Sequence, residues 1–243
     1  MSKDTQYFTK DNLDMYLKEL AKEFRKLNGK TMPAEIILIG GAAVLANYGF
    51  RDMTTDIDAI IYASSAMKDA IIRVGDKYGL PNDWLNSDFM RTKSYSPKLN
   101  QFAKYYRTYS NVLTIRTIAS EYLIAMKLRA GRQYKNDISD IIGILREHDN
   151  QDNPITWEKI DEAVIKLYGD WKGFPEGAED YIKHIIEEHN YENAYEAARE
   201  EEIFSKKALV DFEQDYPNVL KESNLNDILQ ALKMKKENSI QTN

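Results

Sequence analysis

Cysteine is absent from the 243-residue chain, which excludes disulfides, a thiolate nucleophile and any cysteine-based zinc site. That is compatible with a reducing cytosol, and a cytoplasmic location is expected. Histidine is scarce: His148 falls in a polar linker, while His184 and His189 lie five apart in an acidic stretch, so no shared metal-ligating face is expected. Apolar runs such as Ile36 to Ile39 and Tyr122 to Met126 fall far short of the roughly 20 residues that cross a bilayer. The polar opening MSKDTQYFTKDNLDMYLKEL does not resemble a signal peptide, and no membrane partner is expected. Walker loop, nucleophile elbow, zinc-ligand spacing and internal repeat are missing as well.

What is present is a globular composition, 43% hydrophobic and 30% charged, with a formal net charge of −6. The total hides an asymmetry. Residues 84 to 135 carry ten basic and two acidic side chains, whereas residues 136 to 243 carry twelve and twenty-five. A basic middle segment suits an anionic ligand, because the local field governs encounter more than total charge does. Chance enrichment of a solvated loop and strand edge is the alternative.

The order of apolar patterns predicts a mixed α+β fold. Asp11 to Lys26 has the spacing of an amphipathic helix, Glu35 to Ile39 reads as a strand ending at Gly40-Gly41, and a helix starting after Gly41 runs to about Tyr48. A second strand is expected over Asp56 to Tyr62 and a helix over Ala66 to Tyr78. Gly79 to Pro97 is irregular. Phe102 to Thr108 and Val112 to Thr117 read as a hairpin across Tyr109-Ser110-Asn111. Ser120 can cap a helix to about Arg129, and another covers Lys135 to Arg146. The polar stretch His148 to Pro154 marks a boundary between a domain at 1–147 and a helical region at 148–243. There, helices are expected at Thr156 to Tyr168, Glu176 to Glu188, Glu192 to Phe212 and Leu225 to Lys236, with the last few residues frayed.

Chemistry concentrates between Leu38 and Asp58. Glycine lets backbone approach phosphate oxygens closely, and a helix beginning after Gly40-Gly41 offers unpaired N–H groups to an anion. On a strand, Asp56 and Asp58 point to the same side with Cα atoms about 6.6 Å apart, while Ile57 faces the core. Two carboxylates brought to about 4 Å repel by roughly 4 kcal/mol at an effective dielectric near 20, so a cation is expected between them. Magnesium, or manganese, suits such oxygen ligands, and two ions can stabilise both the attacking and leaving oxygens of an in-line displacement. The alternative is an aspartate pair decorating the solvent face of an edge strand.

These residues resemble a known family. Gly40-Gly41, fourteen intervening residues and then Asp56-Ile57-Asp58, with Arg51 and Thr54 inside the spacing, are similar to the first motif of minimal nucleotidyltransferases of the DNA polymerase β-like superfamily, especially the AbiEii-type toxins and a related group of uncharacterised bacterial domains. Glu121 to Ala130 resembles that family's lysine-bearing helix, Asn136 to Ile141 its short acidic motif, and Leu80 to Asn86 a phrase of the uncharacterised group. The resemblance spans about residues 35 to 145. It implies a nucleotidyltransferase core with a small mixed sheet flanked by helices, Asp56 and Asp58 as metal ligands, Gly40, Gly41, Arg51 and Thr54 around a nucleoside triphosphate, and nucleotide-binding or catalytic roles for Lys127 and Asp137. It also implies an RNA acceptor, such as a transfer RNA end, a growth-inhibiting toxin role and an antitoxin partner.

Alternatives stay open at several positions. Lys127 sits among apolar neighbours, so its ammonium group either meets a phosphate or an aspartate, or snorkels to the surface. At 100° per residue, Asp137 lies at the edge of the stripe formed by Ile138, Ile141, Ile142 and Leu145, while Asp140 falls almost opposite and is expected in solvent or supporting a neighbour. Many relatives carry a third metal-binding carboxylate on a later strand, and Val112 to Thr117 has none; Asp137 substitutes for it, or metal binding is weak. Arg51, Arg116 and Arg129 contact phosphates or make surface ion pairs. Arg91, Lys93, Tyr95, Lys98, Lys104, Tyr105, Tyr106 and Arg107 either track an RNA backbone or pack across strands. The expected reaction is transfer of a nucleoside monophosphate to an acceptor hydroxyl, with Asp137 positioning metal or deprotonating the acceptor. The rivals are a catalytically silent nucleotide-binding module and a protein-interaction module on the same fold.

Overall fold

The computed structural model describes residues 7–221 and 224–241, with side chains described as far as Lys235. Fraying was expected at the extreme C-terminus, whose last two residues lie outside the described residues.

Helix α1 (Lys10–Asn28) opens with a capping box between Thr9 and Asn12 and buries Leu13, Leu17, Leu20 and Phe24 on one face. The chain then alternates: β1 (Ala34–Leu38), α2 (Gly40–Asn47), β2 (Ile57–Tyr62), α3 (Ala66–Tyr78), the two-residue β3 (Leu85–Asn86), then the hairpin β4 (Ala103–Tyr109) and β5 (Leu113–Ile118). Ser110 and Asn111 turn the hairpin with φ of 52° and 56°, the left-handed pair that matches strand twist.

The sheet order is β3-β2-β1-β5-β4. Strand β1 runs antiparallel to β2 and parallel to β5, β2 parallel to β3, and β4 antiparallel to β5 with a bulge between Tyr105 and Arg107. The fold is therefore mixed α+β with a mixed sheet flanked by helices and a helical C-terminal region. Strand β2 is not the edge strand of the alternative reading: Ile57 and Asp58 pair with Leu85 and Asn86, which were expected to be irregular. The sheet's buried centre is the β-branched run Ile36, Ile37, Ile57 and Ile115, each with no exposed surface.

Beyond the sheet, α4 (Ser120–Ala130) is buried nearly all round, and α5 (Asp137–Asn150) follows it. The remaining helices are α6 (Trp157–Tyr168), α7 (Ala178–Glu188), α8 (Tyr191–Asp215) and α9 (Leu225–Gln241). Helix α5 is packed by α4 on one side and α8 on another, so the C-terminal helices close back onto the sheet half.

Two local expectations are corrected. Ser120 is the first residue of α4 and caps nothing; its hydroxyl instead accepts a hydrogen bond from Tyr48 Oη at 2.7 Å and lies 2.8 Å from His148 Nε2. His148 belongs to the last turn of α5 rather than to a linker, with Nδ1 3.3 Å from the Asn153 carbonyl. Tyr48, Ser120 and His148 thus tie α2, α4 and α5 together, and burial holds the His148 ring below the usual imidazole range.

Candidate active site

The turn after β1 is built around two glycines for two reasons. Gly40 has φ of +55°, which L side chains rarely adopt, and a Cβ there would sit 3.6 Å from Asp58 Oδ2. A Cβ on Gly41 would come within 2.6 Å of Thr54 Oγ1 and 2.8 Å of Arg51 Nη2, so the absent side chain is what lets these two close on the turn. The helix starts at Gly40 itself rather than after Gly41, and its first-turn N–H groups have no intrahelical acceptor. Thr54 is held by a backbone bridge to Phe8, with reciprocal N–H to carbonyl bonds of 2.7 and 2.9 Å. The Ile39 N–H donates to the Asp58 carbonyl at 2.9 Å, fastening the turn to β2.

Asp56 immediately precedes β2 and Asp58 is its second residue, while Ile57 between them is fully buried. Asp58 is pushed up to about 6, first by burial and then by the neighbouring Asp56 charge. Among the described residues neither carboxylate forms an ion pair, although the Lys135 and Arg132 charges, both lining the same cleft, draw Asp58 partly back down. Two crowded acidic groups with no cation in ion-pair contact are a donor set that fits a hard divalent ion. Among the described residues no group of three or more His, Asp or Glu side chains could hold a metal, so the pair stands without a third carboxylate.

The cations are engaged with α5. Lys127 Nζ lies 3.1 Å from Asp137 Oδ1 and 2.7 Å from Asp140 Oδ2, and all three side chains are nearly inaccessible. Arg51 donates to Asp140 Oδ2 through Nη1 and to the Met53 carbonyl through Nε at 3.0 Å. Arg132 grips Asp137 in a fork, Nε to Oδ2 at 2.9 Å and Nη2 to Oδ1 at 3.2 Å. Burial would raise the Asp137 carboxyl, but the Lys127 and Arg132 charges overcome it and hold it down at about 2. Arg51, Asp140, Lys127, Asp137 and Arg132 form one chain of five charges.

Lys127 therefore meets aspartates and does not snorkel. Asp140 is 2% exposed, so of its two expected settings it takes the second, supporting a neighbour, and does not face solvent. The wheel assumed one buried face, but Arg51 and Lys127 enclose Asp140, Phe50 lies against Gly143 and Ser139 meets Glu202 of α8, so that side is covered as well.

Gly40, Gly41, Arg51, Thr54, Asp56, Asp58, Lys127 and Asp137, the residues to which the resemblance gives site roles, all line one cleft of about 620 Å³. Asp140 lines it too, while sequence reasoning missed Arg132, Lys135 and the entire α8 wall, where Arg199, Glu202 and Lys206 face the same space. Arg116 and Arg129 do not line it: Arg116 pairs with Glu35 at 3.3 Å, and Arg129 stacks over Tyr168 and Phe174. The basic aromatic stretch is also outside it. Tyr106 Oη and Arg107 Nη1 donate to Asp14, while Arg91 and Tyr105 are largely exposed. A separate hollow of about 650 Å³ between β2 and α3 is mostly apolar, with Lys68 its one charged lining residue.

A glycine turn, a carboxylate pair and a buried lysine converge on one cleft beside a small mixed sheet. The chain belongs to the family described as nucleotidyltransferase of unknown function (DUF6036), which matches residues 15–166, from α1 to α6. No curated protein and no solved structure matches it. Among the described residues no helix is long and apolar enough to cross a membrane.

Proposed function

We propose that this chain transfers a nucleoside monophosphate from a nucleoside triphosphate to an acceptor hydroxyl, releasing pyrophosphate. The observation that carries the reading is Asp56 and Asp58, with no cation in ion-pair contact, set against the Gly40-Gly41 turn in a cleft that also holds Lys127. Magnesium or manganese bound by the two aspartates would neutralise charge developing on the reacting oxygens. The first-turn N–H groups after Gly40 receive phosphate oxygens, with Arg51 and Thr54 closing over them. Lys127 adds positive charge at the cleft wall while keeping Asp137 and Asp140 in place. With its carboxyl held at about 2 by two cations, Asp137 is a weak base and serves to position Lys127 and Arg132 rather than to take the acceptor's proton.

RNA is the acceptor class suggested by the likeness to AbiEii-type toxins, with a growth-inhibiting role and a neutralising partner protein following from the same likeness. The exposed Arg91, Lys93, Lys104 and Tyr105 provide a surface for such an acceptor outside the cleft. Incubating the protein with each labelled triphosphate and total RNA, beside Asp56→Ala, tests the transfer: label on RNA only with the unchanged protein is expected. A second reading, nucleotide binding without turnover, is favoured by the missing third carboxylate, and binding with no label transfer to any acceptor would establish it.

A further inference from the structure

Helix α8 lies beyond the segment that matches the nucleotidyltransferase family, yet one of its carboxylates is buried inside the cleft wall. Glu202, 4% exposed, reaches the N-terminus of α5 and accepts three hydrogen bonds there: from the Ile138 N–H at 3.1 Å, the Ser139 N–H at 3.0 Å and Ser139 Oγ at 2.6 Å. Asn136, at the capping position, makes no side-chain cap, so the acceptor normally supplied by a helix's own N-cap comes here from another helix.

The turn so held is the one that matters to the site. Asp137 is its first residue and Asp140 its fourth, and these two fix Lys127, Arg51 and Arg132. We infer that Glu202 is a positioning residue of the active site: by capping α5 across the cleft it sets the first turn from which Asp137 and Asp140 orient the cations. The helical C-terminal region thereby completes the site rather than merely adjoining it. This rests on the transferase reading above.

A merely structural role and a positioning role separate by rescue. Glutamine at 202 keeps an oxygen for the two backbone N–H groups, and its amide can donate to Ser139 Oγ, so geometry survives without the charge. Glu201, the preceding residue of α8 but exposed and paired with Lys233 of α9 at 2.5 Å, reports what loss of an α8 carboxylate away from α5 does. Label transfer by the full chain is compared for the unchanged protein, Glu202→Ala, Glu202→Gln and Glu201→Ala, together with amide exchange at Ile138 and Ser139 and the denaturant midpoint. Expected are a loss of about tenfold or more in kcat/KM for Glu202→Ala, recovery to within about threefold for Glu202→Gln, and no change for Glu201→Ala. Faster exchange at the two amides is expected for Glu202→Ala alone. Full turnover by Glu202→Ala, or a glutamine variant as impaired as the alanine one, overturns the inference while leaving the transferase reading intact. An unchanged protein that neither binds nor transfers nucleotide removes both.

Discussion

Lys127 Nζ and Asp140 Oδ2 lie 2.7 Å apart with both side chains almost wholly withdrawn from water, and Arg51 meets the same carboxylate oxygen. Such a pair tolerates loss of one partner badly, because the survivor keeps its burial and loses its compensation. Asp140→Ala is expected to destabilise the fold by about 3 kcal/mol or more in urea unfolding. A change within about 0.5 kcal/mol, the size usual for a surface substitution, would mean the network is not held in this form.

Asp58 gives a prediction of opposite sign. Its folded pKa of about 6 stands above the ordinary 3.8, so its contribution to stability is full below pH 3.8 and is lost as pH rises through 6. Asp58→Asn is therefore expected to stabilise the metal-free protein by about 1–2 kcal/mol at pH 8, allowing for the water that still reaches the group, with the gain vanishing near pH 4. Thermal unfolding across pH in chelator measures this. An unchanged or lowered midpoint at pH 8 would show that the carboxylate is not crowded.

Asp137 acts in the acid range. Held down at about 2 against an ordinary 3.8, it contributes stability present above 3.8 and lost as pH falls through 2. Acid unfolding of the unchanged protein is expected to steepen in that window, and Asp137→Asn to flatten it. Superimposable acid limbs for the two proteins would contradict the assignment.

At the turn, Gly41→Ala must push aside Thr54 or Arg51, while the aspartate pair stays untouched. Triphosphate affinity is expected to fall about tenfold, the loss of roughly one hydrogen bond to a charged group, with divalent-ion affinity unchanged. Equilibrium dialysis of each ligand separates the two. Equal losses of both would place the metal and phosphate sites on one group.

The sheet half was legible in the sequence because its signals are local. The β-branched run ending in Gly40-Gly41, the spacing to Asp56 and Asp58, and the Ser110-Asn111 turn each specify their geometry within a few residues. What escaped is long-range. The environment of Asp140 is made by Arg51 and Lys127, which lie outside α5, and no periodicity on α5 reports those partners. Ser139 and Gly143, small residues flanking Asp140, were the available signal of close packing on that side. Arg132 and Glu202 could be identified only once α4, α5 and α8 were brought together. The histidine assigned to a linker was misplaced for a simpler reason, since α5 continues to Asn150 past the polar residues taken as its end.

Asp56 and Asp58 are proposed to hold a divalent ion at the Gly40-Gly41 turn. Manganese binding followed by electron paramagnetic resonance, for the unchanged protein beside Asp56→Asn and Asp58→Asn with and without triphosphate, tests it most directly. The account predicts bound manganese that tightens with triphosphate and is lost in both variants. Undiminished manganese binding in the two variants would contradict it.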